Sequence, residues 1–67
     1  MSLGENIRRM REERGLSQSE LAEKIELQKQ NVSAFERGVK TPSLEKLVAI
    51  ADVLRCTTDG LLGRDVS

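Results

Sequence analysis

The chain has 67 residues, 37% hydrophobic and 33% charged, and its eleven basic and eleven acidic side chains cancel to a net charge of zero. This length supports one domain, residues 1–67, whose core is small: such a chain buries only about 60% of its unfolded surface, so a second copy would help to stabilise it. One cysteine, Cys56, excludes an internal disulfide and suits a reducing compartment, and no apolar run approaches the roughly 20 residues of a membrane span or forms a signal-peptide core, which places the expectation in the cytoplasm.

Apolar residues recur at helical spacing through nearly every segment, and none alternates with the period of a strand. Leu3, Ile7 and Met10 mark a first helix that closes at Arg14 and Gly15, the glycine standing where a left-handed cap is wanted. Met1 and Ser2 are given no role. Ser17-Gln18-Ser19-Glu20 reads as a capping box opening a second helix, with Leu21, Ala22 and Ile25 on its apolar side and Leu16 as a hydrophobic staple.

After a break at Glu26-Leu27, a third helix runs from about Gln28 to Arg37 and stops at Gly38. So short a connection sets the second and third helices across each other rather than side by side. Thr41-Pro42-Ser43 breaks the chain again, with Ser43 as the cap of a fourth helix carrying Leu44, Leu47, Val48, Ile50, Ala51 and Leu54. Thr57 caps a short fifth helix through Leu61 and Leu62, weakened by Gly60. The expectation is an all-α, compact five-helix domain with a helix-turn-helix at about residues 17–37.

At about 100° per residue, the third helix has two faces. Val32, Phe35 and Gln28 point one way; Lys29, Gln30, Ser33, Ala34 and Arg37 fall on the other. That outer face is small, polar and positively biased. It suits the edges of bases in a major groove, where glutamine pairs with adenine, lysine or arginine with guanine, serine with either, and alanine touches a thymine methyl. An ordinary solvated helix face would look similar; a short helix following a tight turn is what favours the groove.

Glu36 belongs to neither face. It lies about 40° from Val32, on the core side, where a carboxylate needs a cation. Arg11, on the flank of the first helix, is the expected partner, in a structural salt bridge whose loss through Glu36→Gln should cost stability without altering base preference.

Leu16-Ser17-Gln18-Ser19-Glu20-Leu21-Ala22, then Val32-Ser33-Ala34-Phe35-Glu36-Arg37-Gly38, then Pro42-Ser43-Leu44 together resemble the phage Cro/repressor-type helix-turn-helix family, the XRE-like regulators. The resemblance spans about residues 3 to 62. It implies a lambda-repressor-like domain in which the third helix is the recognition helix. Gln18 matches a position that meets phosphate and sometimes a base, and Lys29, Gln30, Ser33 and Ala34 match base-facing positions. Asn31, Arg37 and Lys40 match regions that touch the DNA backbone, and Ser17 and Gln28 join them as expected phosphate contacts. Arg11 and Glu36 match a paired arginine and glutamate of several relatives. Three positions depart from the pattern: Glu26 stands where the turn usually has glycine, Gln28 where serine or threonine caps the recognition helix, and Arg55 where glycine is common after the fourth helix.

The remaining arginines of the first helix, Arg8, Arg9 and Arg14, sit beside Glu5, Glu12 and Glu13 and read mainly as a solvated, self-paired face. Cys56 reads as a buried, inert thiol. Leu61 and Leu62 are either core or, with Val53, a homodimer seam that would set two recognition helices one DNA turn apart. With no histidine, tyrosine or tryptophan, no nucleophile–base pair and no metal-ligand spacing, neither an enzyme nor a cofactor is expected. The expected function is sequence-specific binding of a pseudo-palindromic double-stranded operator by a homodimeric repressor, without a small-molecule substrate. The alternative is an antitoxin or protein-interaction adaptor, with which net neutrality agrees.

Overall fold

Ser2, set aside in the sequence reading, opens the first helix. Its hydroxyl oxygen accepts from the Glu5 amide at 3.2 Å while its own amide donates to Glu5 Oε1 at 2.9 Å, a reciprocal cap that satisfies two otherwise orphaned groups. The computed structural model of the chain describes residues 2–55. Four helices lie among them: α1 (Leu3–Glu13), α2 (Gln18–Lys24), α3 (Lys29–Arg37) and α4 (Leu44–Leu54). The expected fifth helix, with Thr57, Gly60, Leu61 and Leu62, lies outside the described residues, as does Cys56.

Three of the four helices end in the same kind of turn. The residue past the last turn of α1, α2 and α3 is Gly15 (φ 70°), Glu26 (φ 60°) and Gly38 (φ 75°) respectively, all left-handed. In each case the next amide reaches back five residues: Leu16 N to Arg11 O at 3.1 Å, Leu27 N to Ala22 O at 2.8 Å, Val39 N to Ala34 O at 3.0 Å. The left-handed residue reverses the chain, and the back-bond satisfies a helix-end carbonyl. Leu16 and Leu27, carried past the turn, pack on the core. The helix-turn-helix connection is therefore built like a glycine turn, with a glutamate held where glycine would be relaxed. Arg55, after α4, is left-handed as well (φ 56°).

The core is made by Ile7 of α1, Leu21 and Ala22 of α2, Ile25, Val32 and Phe35 of α3, and Leu47, Ile50, Ala51 and Leu54 of α4. α3 packs against both α1 and α2, and so occupies the middle of the domain. Gly4 makes one of these approaches feasible: a Cβ there would meet the carbonyl oxygens of Phe35 and Glu36, the latter at 2.6 Å. A glycine inside a helix ordinarily weakens it; here it lets the first turn of α1 lie on the last turn of α3.

The apolar set of α4 is smaller than its sequence predicts. Leu44 is 75% exposed and Val48 43%, and Val39 in the preceding loop is 71% exposed. The reason is the width of the contact: α4 touches its neighbours along one stripe, and Leu47, Ile50, Ala51 and Leu54 already fill it. No helix of the described residues is long and apolar enough to cross a membrane.

Candidate nucleic-acid interface

α3 presents two chemically different sides. Val32 and Phe35 are buried, whereas Lys29, Gln30 and Arg37 are exposed and Ser33, Ala34 and Asn31 half-buried. Gln28 occupies the position before α3 without a side-chain hydrogen bond to the helix, and the first turn of α3 carries no acidic residue. This differs from α1, α2 and α4, each opened by a serine that accepts from a backbone amide. A glutamine is too long to close on the amides as serine does.

Two hydrogen bonds organise the outer side. Arg37 Nε donates to Ser33 Oγ at 3.2 Å, one turn earlier, and Lys40 Nζ donates to Asn31 Oδ1 at 3.2 Å, tying the loop after α3 to its first half. Arg37 is thus held over the outer side of α3, while Lys40 is held at Asn31, on another flank of the helix. The only acidic residue of α3, Glu36, faces the other way.

Glu36 and Arg11 are brought together. Arg11 Nε donates to Glu36 Oε2 at 2.7 Å and Nη2 to Oε1 at 3.1 Å, with side chains 10% and 3% exposed. The hydrogen bond to Glu36 holds the Arg11 guanidinium above its usual range, against the opposing effect of burial. The third donor of the fork, Nη1, goes to Leu16 O at 2.7 Å. One guanidinium therefore joins α1, the turn into α2, and α3.

Gln18, expected at an exposed helix start, is half-buried, and its Nε2 donates to Glu36 Oε1 at 3.1 Å. It has that partner because the start of α2 lies over the end of α3. Ser17 is committed too: its amide donates to Glu20 Oε1 at 2.8 Å and its oxygen accepts from the Glu20 amide at 3.0 Å, leaving the hydroxyl proton as its outward donor. The cap lowers the Glu20 carboxyl below 4.5, chiefly through the Ser17 amide.

Two helix-end ties were not anticipated from sequence. Lys46 Nζ donates to Ile25 O at 2.8 Å, closing the end of α2 from α4, and Arg14 Nε donates to Leu54 O at 2.8 Å, closing the end of α4 from α1. Basic residues suit helix C-termini, where carbonyls lack partners; nothing local in sequence says which distant helix a lysine or arginine serves. Arg8 and Arg9 pair with Glu12 and Glu13 along α1. Val53, assigned to a dimer seam, is half-buried and packs on the core, and Leu61 and Leu62 lie outside the described residues.

The sequence pattern of the helix-turn-helix family matches residues 7–61. Over 65 residues the chain is 35% identical to the HTH-type transcriptional regulator ImmR of Bacillus subtilis, covering 97% of this chain and 51% of ImmR. Over 55 residues it is 46% identical to the regulator SinR of the same organism, covering 76% of this chain and 50% of SinR. The chain thus spans about half the length of these curated relatives. The P22 c2 repressor solved in complex with a synthetic operator superposes with a TM-score of 0.91 at 31% identity, covering 97% of this chain and 98% of that one. SinR solved in complex with DNA gives 0.82 at 38% identity, covering 88% and 95%. With α2 and α3 packed together through a left-handed turn and these relatives on both sequence and shape, the chain belongs to the phage-repressor, XRE-like family of helix-turn-helix proteins.

Proposed function

We propose that the chain binds double-stranded DNA sequence-specifically as a transcriptional repressor, with α3 in the major groove. The observation that carries this reading is the division of α3: Val32 and Phe35 anchor it in the core while Lys29, Gln30, Ser33 and Ala34 face outward, with no acid among them. These four, with Gln18, are the base-reading set. Arg37, Lys40, Asn31, Gln28 and the Ser17 hydroxyl are the proposed phosphate contacts, which position the protein without reading sequence. Relatives described as an immunity repressor and as repressor–operator and regulator–DNA complexes support the reading.

The functional unit is a homodimer on a pseudo-palindromic operator, since one small domain offers too few contacts for tight binding and two-fold sites match two-fold proteins. Val53, Leu61 and Leu62 remain its proposed seam. It works in the cytoplasm, where DNA is, without a cofactor, a small-molecule substrate or an enzymatic step.

Selection from a random duplex pool, followed by binding at two salt concentrations, tests this. Affinity should fall steeply as salt rises, through release of counterions from neutralised phosphates. No binding to any duplex at low salt would overturn it. The exposed Val39, Leu44 and Val48 favour a second reading, a protein-interaction adaptor, and a relative solved as a SinR–SinI complex is consistent with it. Absence of DNA binding together with capture of a defined protein partner would support that alternative.

A further inference from the structure

Glu36 sits on the recognition helix, yet its side chain is turned under the start of α2 and is 3% exposed. Its oxygens accept from Arg11 Nε, Arg11 Nη2 and Gln18 Nε2. A carboxylate has only acceptors, so it takes the NH2 end of the Gln18 amide. An unrestrained glutamine offers either end of its amide to a partner. Gln18 is left with its carbonyl oxygen and one N–H for anything outside.

We propose that Glu36 is a positioning residue for DNA recognition, setting through its hydrogen bond to Gln18 Nε2 which end of the Gln18 amide faces the duplex. The proposal rests on the DNA-binding reading above. With the carbonyl and one N–H outward, Gln18 favours a base edge that pairs with both, adenine N6 and N7, since a phosphate can engage only the N–H. The assignment also changes what Glu36→Gln does. The Arg11 fork spans both oxygens of Glu36, so the substituted amide keeps its carbonyl on Nε, the shorter bond at 2.7 Å, and its NH2 takes the place of Oε1, where it gives up the 3.1 Å bond from Nη2 and selects the Gln18 carbonyl. The Gln18 amide inverts and turns donors outward. The fork alone would make Glu36 a matter of stability; through Gln18 it reaches base preference.

The test is a double-mutant cycle on the full chain with Gln18→Ala, Glu36→Gln and both, bound to duplexes selected on the wild type, at one salt concentration and a temperature where circular dichroism shows every variant folded. Each single change should weaken binding about three- to tenfold, the range of one hydrogen bond. The double variant should bind no more weakly than the worse single, and reselection with Glu36→Gln should change the preferred base at one position only. Losses that multiply, or an unchanged preference, overturn the proposal while leaving the DNA reading intact; a wild type that binds no duplex at low salt overturns both. Should Glu36→Gln fail to fold, nitrogen relaxation of the wild-type side-chain amides decides. Gln18 should be restricted in the free protein, and mobility equal to that of the exposed Gln30 overturns the proposal.

Discussion

Lys46 of α4 places its ammonium 2.8 Å from the carbonyl oxygen of Ile25, at the point where α2 gives way to the turn before α3. A charge from one helix thereby closes the end of another, and the helix-turn-helix is clamped from behind. Lys46→Met keeps most of the stem and removes the donor; it should lower stability by about 1 kcal/mol, the worth of one such bond, read as a lower melting temperature.

The Arg11–Glu36 pair makes a harsher prediction. Removing the cation by Arg11→Met leaves a shielded carboxylate with only the Gln18 amide for company. The loss should be about 3 kcal/mol, because an uncompensated buried charge costs more than a contact. In a domain this small that is a large share of total stability, so chemical denaturation should show a much earlier midpoint. A midpoint near the wild type would mean that water reaches Glu36.

Glu26 holds φ at 60°, where a side chain is strained and glycine is relaxed. Glu26→Gly should stabilise by about 1 kcal/mol, the relief of a left-handed conformation less the extra freedom glycine gives the unfolded chain. A lower melting temperature would show that the glutamate makes a compensating interaction.

Gly4 reverses the usual rule that alanine improves a helix. Gly4→Ala should destabilise by about 2 kcal/mol, since the added methyl meets the Phe35 and Glu36 carbonyls rather than open space. Urea titration checks the sign, which propensity alone would give as stabilising.

The two capping boxes predict an acid limb. Hydrogen bonds from the Ser2 and Ser17 amides, followed by those involving the serine hydroxyls, hold the Glu5 and Glu20 carboxyls below 4.5. A carboxyl depressed in the folded state contributes stability that is full above its unfolded value and is lost as pH falls through the folded one. Melting temperature should therefore drop below pH 4.5, and less so in a Glu5→Gln, Glu20→Gln double variant.

Four helices, the turns at Gly15 and Gly38, and the serine caps of α2 and α4 were legible in the sequence because each depends on neighbours within a few residues. So was the division of α3, since helical period alone separates Val32 and Phe35 from the polar positions. Glu36 declared itself by being an acid on the wrong side. What stayed hidden depends on how helices meet. Gln18 reads as an exposed helix start until α2 is laid on α3. Arg14 reads as a solvated charge until the helix end it closes is in view, and nothing near Lys46 in the sequence points to Ile25. Leu44 and Val48 read as core because hydrophobicity does not tell how wide a buried stripe is.

Gly4 lies on α1, and yet the carbonyls it spares belong to the last turn of α3. That makes the first helix a backstop. The thinnest residue of α1 gauges how closely the end of α3 is seated, so a methyl added there pushes on the backbone of α3 rather than on any one of its side chains. On the proposed DNA-binding reading, affinity could therefore be detuned from the rear, without altering a single outward group of α3.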